Sequence, residues 1–235
     1  MKDIFAITKY QIIDSEIKNK HKFYIILNEC QENEIETIIN QNYQPQLQNY
    51  LGIYLEYQNK YIQKFKCSKY SLHHQYTIVN MIKKIKTIDF DNDIKLEKIT
   101  FQQIQQFNDY INELMFNVPG SVTYTYQETH RLIDSGFNEL YFIKHHQQIV
   151  GIIELCLEEN IPEIMSIGIL KNYQHQGFAK KALQTLEQHL SKEYQEVCIS
   201  VALENITAYH LYSSLDYKVI STKMNYYLID KNNKQ

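Results

Sequence analysis

The sequence predicts an α+β protein in two parts: a small amino-terminal α+β domain over residues 1–92 and a larger domain over 93–235. Three observations carry that expectation. The acidic, turn-forming stretch Asp89-Phe90-Asp91-Asn92-Asp93 punctuates the chain and suits a boundary. Two capping boxes, Thr100-x-x-Gln103 and Thr125-x-x-Glu128, each announce a helix. Around them, short apolar runs alternate with segments of helical period in the order β-α-α-β-β-β-α-β-α-β-β.

Bulk properties bound the answer. The chain has 235 residues, 44% hydrophobic and 22% charged, enough to bury a core and unlike a disordered or collagen-like chain. Its formal charge of −3 offers no excess of cations to release counterions from DNA or RNA, which argues against a nucleic-acid partner. Residues 93–235 hold 12 basic and 17 acidic side chains, so the second part is the acidic one. Cys30, Cys67, Cys156 and Cys198 form no metal-ligand spacing and no disulfide framework, and reduced thiols in a cytoplasmic protein fit best. No run of eighteen apolar residues and no leader-like start is present, so neither secretion nor a membrane partner is expected.

In the first domain, Phe5 to Ile13 and Phe23 to Leu27 read as strands. Glu34 to Asn40 reads as a short helix with Ile35, Ile38 and Ile39 on one side, and Gly52 to Phe65 as a hairpin. In the second, Ile94 to Ile99 is a strand. The helix after Thr100 carries Ile104, Phe107, Ile111 and Leu114 on one stripe, and the helix after Thr125 ends at Gly136. Leu140 to Lys144 and Ile149 to Cys156 pair about a His145-His146-Gln147-Gln148 tip, whose histidines face solvent. Glu163 to Leu170 is a third strand. Gly177 to Leu190 is a helix with Ala179, Ala182, Leu183, Leu186 and Leu190 on its apolar face. Glu196 to Ala202 is a strand, Asn205 caps a helix running through Tyr212, and Tyr217 to Ile220 with Lys223 to Ile229 close the chain as a hairpin.

The chemistry concentrates in Ile167-Gly168-Ile169-Leu170-Lys171-Asn172-Tyr173-Gln174-His175-Gln176-Gly177-Phe178-Ala179. This segment joins a strand to a helix through a loop whose residue 177 has no side chain, so successive backbone N–H groups can converge on an anion at the positive end of the helix dipole. Ala179 keeps the first turn thin, and Lys180 and Lys181 add charge. Taken alone, one glycine in a loop is a plain strand-to-helix turn.

Gln174-x-x-Gly177-x-Ala179 resembles the Gln/Arg-x-x-Gly-x-Gly/Ala pattern of the GNAT acetyltransferase superfamily. A second segment, Asn205-x-x-Ala208-x-x-Leu211-Tyr212-x-x-Leu215-Asp216-Tyr217, is similar to that superfamily's following helix, departing from it at Asp216, where the family usually has glycine. Asp tolerates a left-handed turn better than most residues. The resemblance spans roughly residues 93–230. It implies a GNAT-like mixed, mostly antiparallel sheet flanked by helices, with acetyl-CoA in a cleft where the strand from Glu163 splays from the strand from Glu196. It further implies cofactor contacts from Ile167, Gly168, Ile169, Gln174, His175, Gln176, Gly177, Phe178, Ala179, Lys180, Asn205 and Tyr212. No metal is implied.

The same resemblance implies direct acetyl transfer to a primary amine of a small molecule, peptide or protein. An amine needs a proton acceptor before it attacks. Glu163 is the first candidate and Glu154 the second, while Glu163 beside Pro162 also reads as a solvated strand-entry residue. Glu158 and Glu159 read as exposed charges that attract a cationic substrate. Tyr212 is the favoured general acid for the CoA thiolate, although a packed tyrosine is the competing reading in a chain with 20 of them. Asn205 caps its helix or contacts the pantetheine arm. Cys198 reads as structural. The two capped helices, their Asn117-Val118-Pro119-Gly120-Ser121 connection and the last hairpin would wall the acceptor site. The alternative is an inactive acyl-CoA-binding sensor or scaffold. The first domain is left three roles: covering the cleft, forming a homodimer, or recognising a macromolecule.

Overall fold

The computed structural model describes residues 10–17, 20–27, 32–43, 52–57, 69–86, 93–121 and 123–231. The chain divides into two compact units, one of residues 1–78 with 222–235 and one of 79–221. Asn92, where a boundary is expected from the sequence, lies outside the described residues.

In the first unit, β1 (Tyr10–Ile17) pairs antiparallel with β2 (Lys20–Leu27), which pairs parallel with β3 (Gly52–Tyr57). Residues 5–9 of the expected first strand lie outside the described residues. Helix α1 (Glu32–Asn42) buries Ile35, Ile38 and Ile39 against Ile25, Leu27, Ile53, Leu55, Tyr227 and Ile229. The expected hairpin from Gly52 does not form around β3. Its edges are taken by β2 on one side and by Asn225 to Leu228 of the last strand on the other.

Strand β4 (Tyr70–Lys84), which the sequence analysis did not identify, enters the second unit at Val79. Its apolar alternation through Tyr70, Leu72, Tyr76 and Ile78 changes phase at Val79 and resumes with Met81, so no single period runs along it.

The second unit continues with β5 (Ile94–Lys98), a 3₁₀ turn at Phe101–Gln103, α2 (Ile104–Met115) and α3 (Tyr126–Asp134). Both helix starts follow from their caps. Gln103 Oε1 accepts from the Thr100 N–H at 2.9 Å, and the Thr125–Glu128 box closes in both directions. Gly136, at φ +74°, ends the last turn of α3 as expected. Then come β6 (Asn138–His145), β7 (Gln148–Cys156), β8 (Glu163–Ile169), α4 (Phe178–Leu190), β9 (Glu196–Ala202), α5 (Ile206–Ser214) and β10 (Lys218–Lys231). The strand order here is β4-β9-β8-β7-β6-β5, antiparallel from β5 to β8 and parallel between β8 and β9. This is the mixed, mostly antiparallel sheet flanked by helices expected from the sequence. The closing hairpin is instead the single strand β10. Ser221-Thr222, at its expected tip, lacks the Gly, Asn or Asp that a tight turn needs.

Central strands are covered on both faces. Tyr141, Ile143, Ile153 and Leu155 face α4 with Ala182, Leu183 and Leu186, while Leu140, Phe142 and Ile152 face α2 with Phe107, Ile111 and Met115. Among the described residues no helix is long and apolar enough to cross a membrane. Helix α4 is also fastened by charge: buried Glu187 accepts from Tyr217 Oη at 2.9 Å and pairs with Lys83 of β4. Glu187→Ala would strand the Lys83 ammonium, whose side chain is only 17% exposed, and should cost about 3 kcal/mol. A urea denaturation midpoint shifted down at unchanged slope checks it.

Candidate active site

The hydrogen-bonded ladder between β8 and β9 covers only Glu163↔Cys198 and Ile164↔Ile199, with Cys198 N–H donating to Pro162 O at 2.8 Å just before it. Beyond Ile164 the two strands continue without pairing to each other, and a seam opens between them. On its other edge β8 stays paired with β7 but carries a bulge: Leu155 faces Ile164 and Glu154 faces Ser166, leaving Met165 as the extra residue. Large apolar side chains stay exposed at Met165 on β8 and at Leu203 and Ile206 just past β9.

The bulge changes which residues of β8 share a face. Simple alternation places Glu163, Met165, Ile167 and Ile169 on one face. With one residue extra, Glu163 shares its face with Ser166 and Gly168, whereas Ile164, Ile167 and Ile169 turn to the α4 side and join its core. Gly168 lies under α2, where an added Cβ would come within 2.8 Å of Leu114 Cδ1.

The strand leads into the loop singled out from the sequence. Leu170 N–H donates to Val150 O at 2.9 Å, so the preceding residue, Ile169, directs its own backbone groups away from β7. Gln174 Nε2 reaches back to the Ile169 carbonyl at 2.9 Å. His175 and Gly177 adopt left-handed conformations, φ +61° and +81°, and α4 starts at Phe178. None of the backbone N–H groups from His175 to Lys180 meets an acceptor among the described residues; the first helical bond is Lys181 N–H to Gly177 O at 3.1 Å. A Cβ at Gly177 would meet nothing within 4 Å, so its left-handed backbone and not packing accounts for the glycine. Phe178 is buried under α4, with His145 4.8 Å and Tyr173 6.3 Å from its ring. Gln176, Lys180 and His175 are exposed, and Ala179 is half-buried.

Beside this loop, Asp93 accepts from Lys181 Nζ at 2.7 Å and contacts His145 Nε2 at 2.8 Å. His145 is therefore half-buried and engaged, in contrast to the solvent-facing tip expected, while His146 is exposed. Asp93, His145 and His146 bring ligand atoms within 4.8 Å of one another, with the Lys181 ammonium already competing for the carboxylate. Hydrogen bonds from Lys181 and His145 hold the Asp93 carboxyl down to about 2.

On α5, Asn205 Oδ1 accepts from Ala208 N–H at 3.3 Å, which is the capping role. Asp216 takes the left-handed conformation at φ +69°, in place of the glycine usual in the resembling family. Tyr212 is 6% exposed, packed in the α4-side core with its ring 6.0 Å from that of Tyr217. Burial raises its phenol above the ordinary value, so it stays protonated.

The face toward α2 is polar at the seam. Ser200 Oγ lies 2.7 Å from Glu163 Oε1 and 2.9 Å from Asn80 Oδ1. Glu154 is buried and accepts from Tyr124 Oη at 2.9 Å; burial raises both groups. Asn80, Ser200, Tyr124 and Asp93 were not legible as site residues. Each meets its partner across a long stretch of chain, with no local spacing to mark it. Glu158 and Glu159 are exposed, and Cys156 and Cys198 are half-buried on β7 and β9, outside any disulfide.

Residues 105–217 match the model of the Acetyltransferase (GNAT) family. Residues 105–217 form a GNAT-family acetyltransferase domain. Solved structures agree on the fold. A GCN5-related N-acetyltransferase from Sphaerobacter thermophilus is 14% identical, with 90% of this chain and 72% of that one covered and a TM-score of 0.58. A GNAT-family protein from Novosphingobium aromaticivorans is 12% identical over 94% and 92% of the two chains, TM-score 0.57. A conserved protein of unknown function from Staphylococcus epidermidis is 14% identical over 91% and 85%, TM-score 0.59. No curated protein matches the chain in sequence. The GNAT fold supports acyl transfer in general.

Two outcomes are expected of this GNAT domain. Gly177→Val forces a β-branched residue into a left-handed conformation and should cost about 1–2 kcal/mol of stability, read by denaturation. The Asp93 carboxyl, depressed in the folded state, contributes stability above its unfolded value of about 4 and loses it as pH falls through about 2. Carbon-detected NMR should place its titration near pH 2, and Lys181→Met should move it upward.

Proposed function

We propose that this GNAT domain transfers the acetyl group of acetyl-CoA directly to a primary amine on a small molecule, peptide or protein. The observation that carries the proposal is the run of unpaired N–H groups from His175 to Lys180, set at the amino end of α4 where the β8–β9 seam opens. A diphosphate is the anion such a run fits: several donors converge, the helix dipole adds positive potential, and Gly177 presents no side chain. Gln174, His175, Gln176, Gly177, Phe178, Ala179 and Lys180 supply that cradle. Ile167, Gly168 and Ile169 line the seam, and the Ile169 N–H, turned away from β7, is placed to polarise a thioester carbonyl.

The transfer breaks the carbonyl C–S bond and forms a C–N bond. The nitrogen gives up a proton on the α2-side face, where Glu163 and Glu154 both stand, and the departing thiolate takes one from Tyr212 on the α4 side. Asn205, with its oxygen occupied by the cap, keeps its amide N–H groups for a carbonyl of the pantetheine arm. The acidic second domain favours cationic acceptors. The proposal keeps the protein reduced and cytoplasmic, without a nucleic-acid or membrane partner, and leaves a homodimer as a role for the first domain.

Thiol release from acetyl-CoA across a panel of amines and peptides tests the activity. Gly177→Val should weaken CoA binding in calorimetry about 100-fold or more, well beyond its effect on stability, because its side chain fills the cradle. Tyr212→Phe should lower turnover about 100-fold and leave acetyl-CoA affinity unchanged. CoA binding without thiol release from any amine would make the domain an acyl-CoA sensor or scaffold.

A further inference from the structure

The acceptor's proton has two carboxylates to go to, and the structure distinguishes them. Glu163 sits where β8 and β9 are still paired, and its Oε1 lies against the Ser200 hydroxyl. Glu154 sits opposite Ser166, the first residue past the bulge, at the level where the seam opens. The Glu154 residue is 1% exposed, and its Oε2 is the one buried side-chain polar atom without a hydrogen-bond partner among the described residues. Burial outweighs the hydroxyls of Tyr124 and Ser166 and raises this carboxyl, so it is a good proton acceptor: taking up a proton removes the buried charge.

Two hydroxyls lie on this carboxylate, that of Ser166 across the ladder and that of Tyr124, and Tyr124 is the one carried by a loop. Tyr124, half-buried in the connection between α2 and α3, donates its hydroxyl to Glu154 Oε1. Its backbone is clamped by Asn112 of α2, which donates to the Tyr124 carbonyl and accepts from the Tyr124 N–H, both at 2.8 Å. A loop tyrosine held by two such bonds over a buried acid has a fixed aim, beyond what packing of its ring alone requires.

Resting on the acyl-transfer reading above, the geometry points to Tyr124 and Glu154 as a two-member proton relay for the acceptor amine. The acceptor enters as an ammonium: one N–H bond breaks and its proton passes to Tyr124 Oη, while the Tyr124 O–H proton passes at the same time to Glu154 Oε1. Tyr124 ends neutral, Glu154 ends as the uncharged acid, and the lone pair set free on nitrogen forms the C–N bond. The second N–H proton leaves the adduct for solvent as the C–S bond breaks; Tyr212 gives its proton to the thiolate and recovers one from solvent, and Glu154 returns its proton to solvent once the amide leaves. Tyr124 is the catalytic residue and Glu154 the positioning residue behind it. The other titratable groups around the pair are Glu128 on α3, Cys156 on β7 and Glu163 on β8.

The test uses the full chain, acetyl-CoA and two nucleophiles: n-butylamine, protonated at neutral pH, and hydroxylamine, which is not. Glu154→Gln keeps an acceptor for the Tyr124 hydroxyl. It should lower kcat with n-butylamine about 100-fold, leave KM for acetyl-CoA unchanged, flatten the acidic limb of the pH profile, and change the rate with hydroxylamine less than about threefold. Tyr124→Phe should show the same split between nucleophiles. Equal losses with both nucleophiles would reduce the pair to a structural tie. A loss with n-butylamine in Glu163→Gln but not in Glu154→Gln would move the role to Glu163. A wild-type chain that turns over neither nucleophile removes acyl transfer and the relay together, whereas wild-type rates in Glu154→Gln overturn the relay alone.

Discussion

The hydrogen-bond ladder between β8 and β9 runs for two residue pairs and then stops, and the seam of the candidate site follows from where it stops. Backbone groups left out of a ladder are costly unless something else satisfies them. Here the amide of Gln174 caps the Ile169 carbonyl, and the bulge at Met165 keeps β8 bonded to β7 while it turns away from β9. The seam is thus maintained by specific local interactions on the β8 side. It also connects two environments that the sheet otherwise separates: an apolar face packed by α4 and α5, and a face toward α2 and α3 that is polar at the seam.

That separation gives the chemistry a direction. Tyr212, kept neutral by burial, belongs to the α4-side core, together with Ile164 and Phe178. Glu154, Glu163 and Ser166 belong to the other face. In the proposed acetyl transfer, which delivers one proton and removes another, donor and acceptor are best held apart, because a carboxylate beside Tyr212 would compete with the leaving thiolate for the same phenolic proton. The bulge adds Ser166 to the side of Glu154 and Glu163, since one extra position exchanges the faces of everything that follows it along the strand.

What the sequence made legible was local. Capping boxes, the strand-loop-helix passage through Gly177 and the left-handed position at Asp216 are each contained within a few residues, and the backbone there obeys the nearest neighbours. What it concealed was non-local. Nothing in Glu163-Ile164-Met165-Ser166 announces a bulge, which is defined only against β7. Strand β4 changes its buried phase at Val79, so its alternation cancels along its length, and β10 lacks turn residues at the very point where a hairpin would need them. Tyr124 and Asn112 are 12 residues apart in sequence, and both gain meaning only through Glu154, itself 30 residues beyond Tyr124.

Helix α4 shows why the free amides of its first turn are suited to binding. Phe178, Ala182, Leu183, Leu186 and Leu190 fix it against the sheet, and Glu187 ties its second half to Lys83 and Tyr217. Lys181 is drawn aside by Asp93, which leaves Lys180 as the side-chain cation of the first turn beside the backbone donors and the dipole. Because packing orders those donors before any ligand arrives, their entropy is lost in folding and not in binding, and each bond then formed contributes nearly in full. An anion site built from amides that are already fixed also has a definite shape, which side-chain ammonium groups on long flexible stems would not provide. On the proposed reading, discrimination for a diphosphate over a single small anion would follow from the length of the run: donors from His175 to Lys180 extend past what one phosphate can engage.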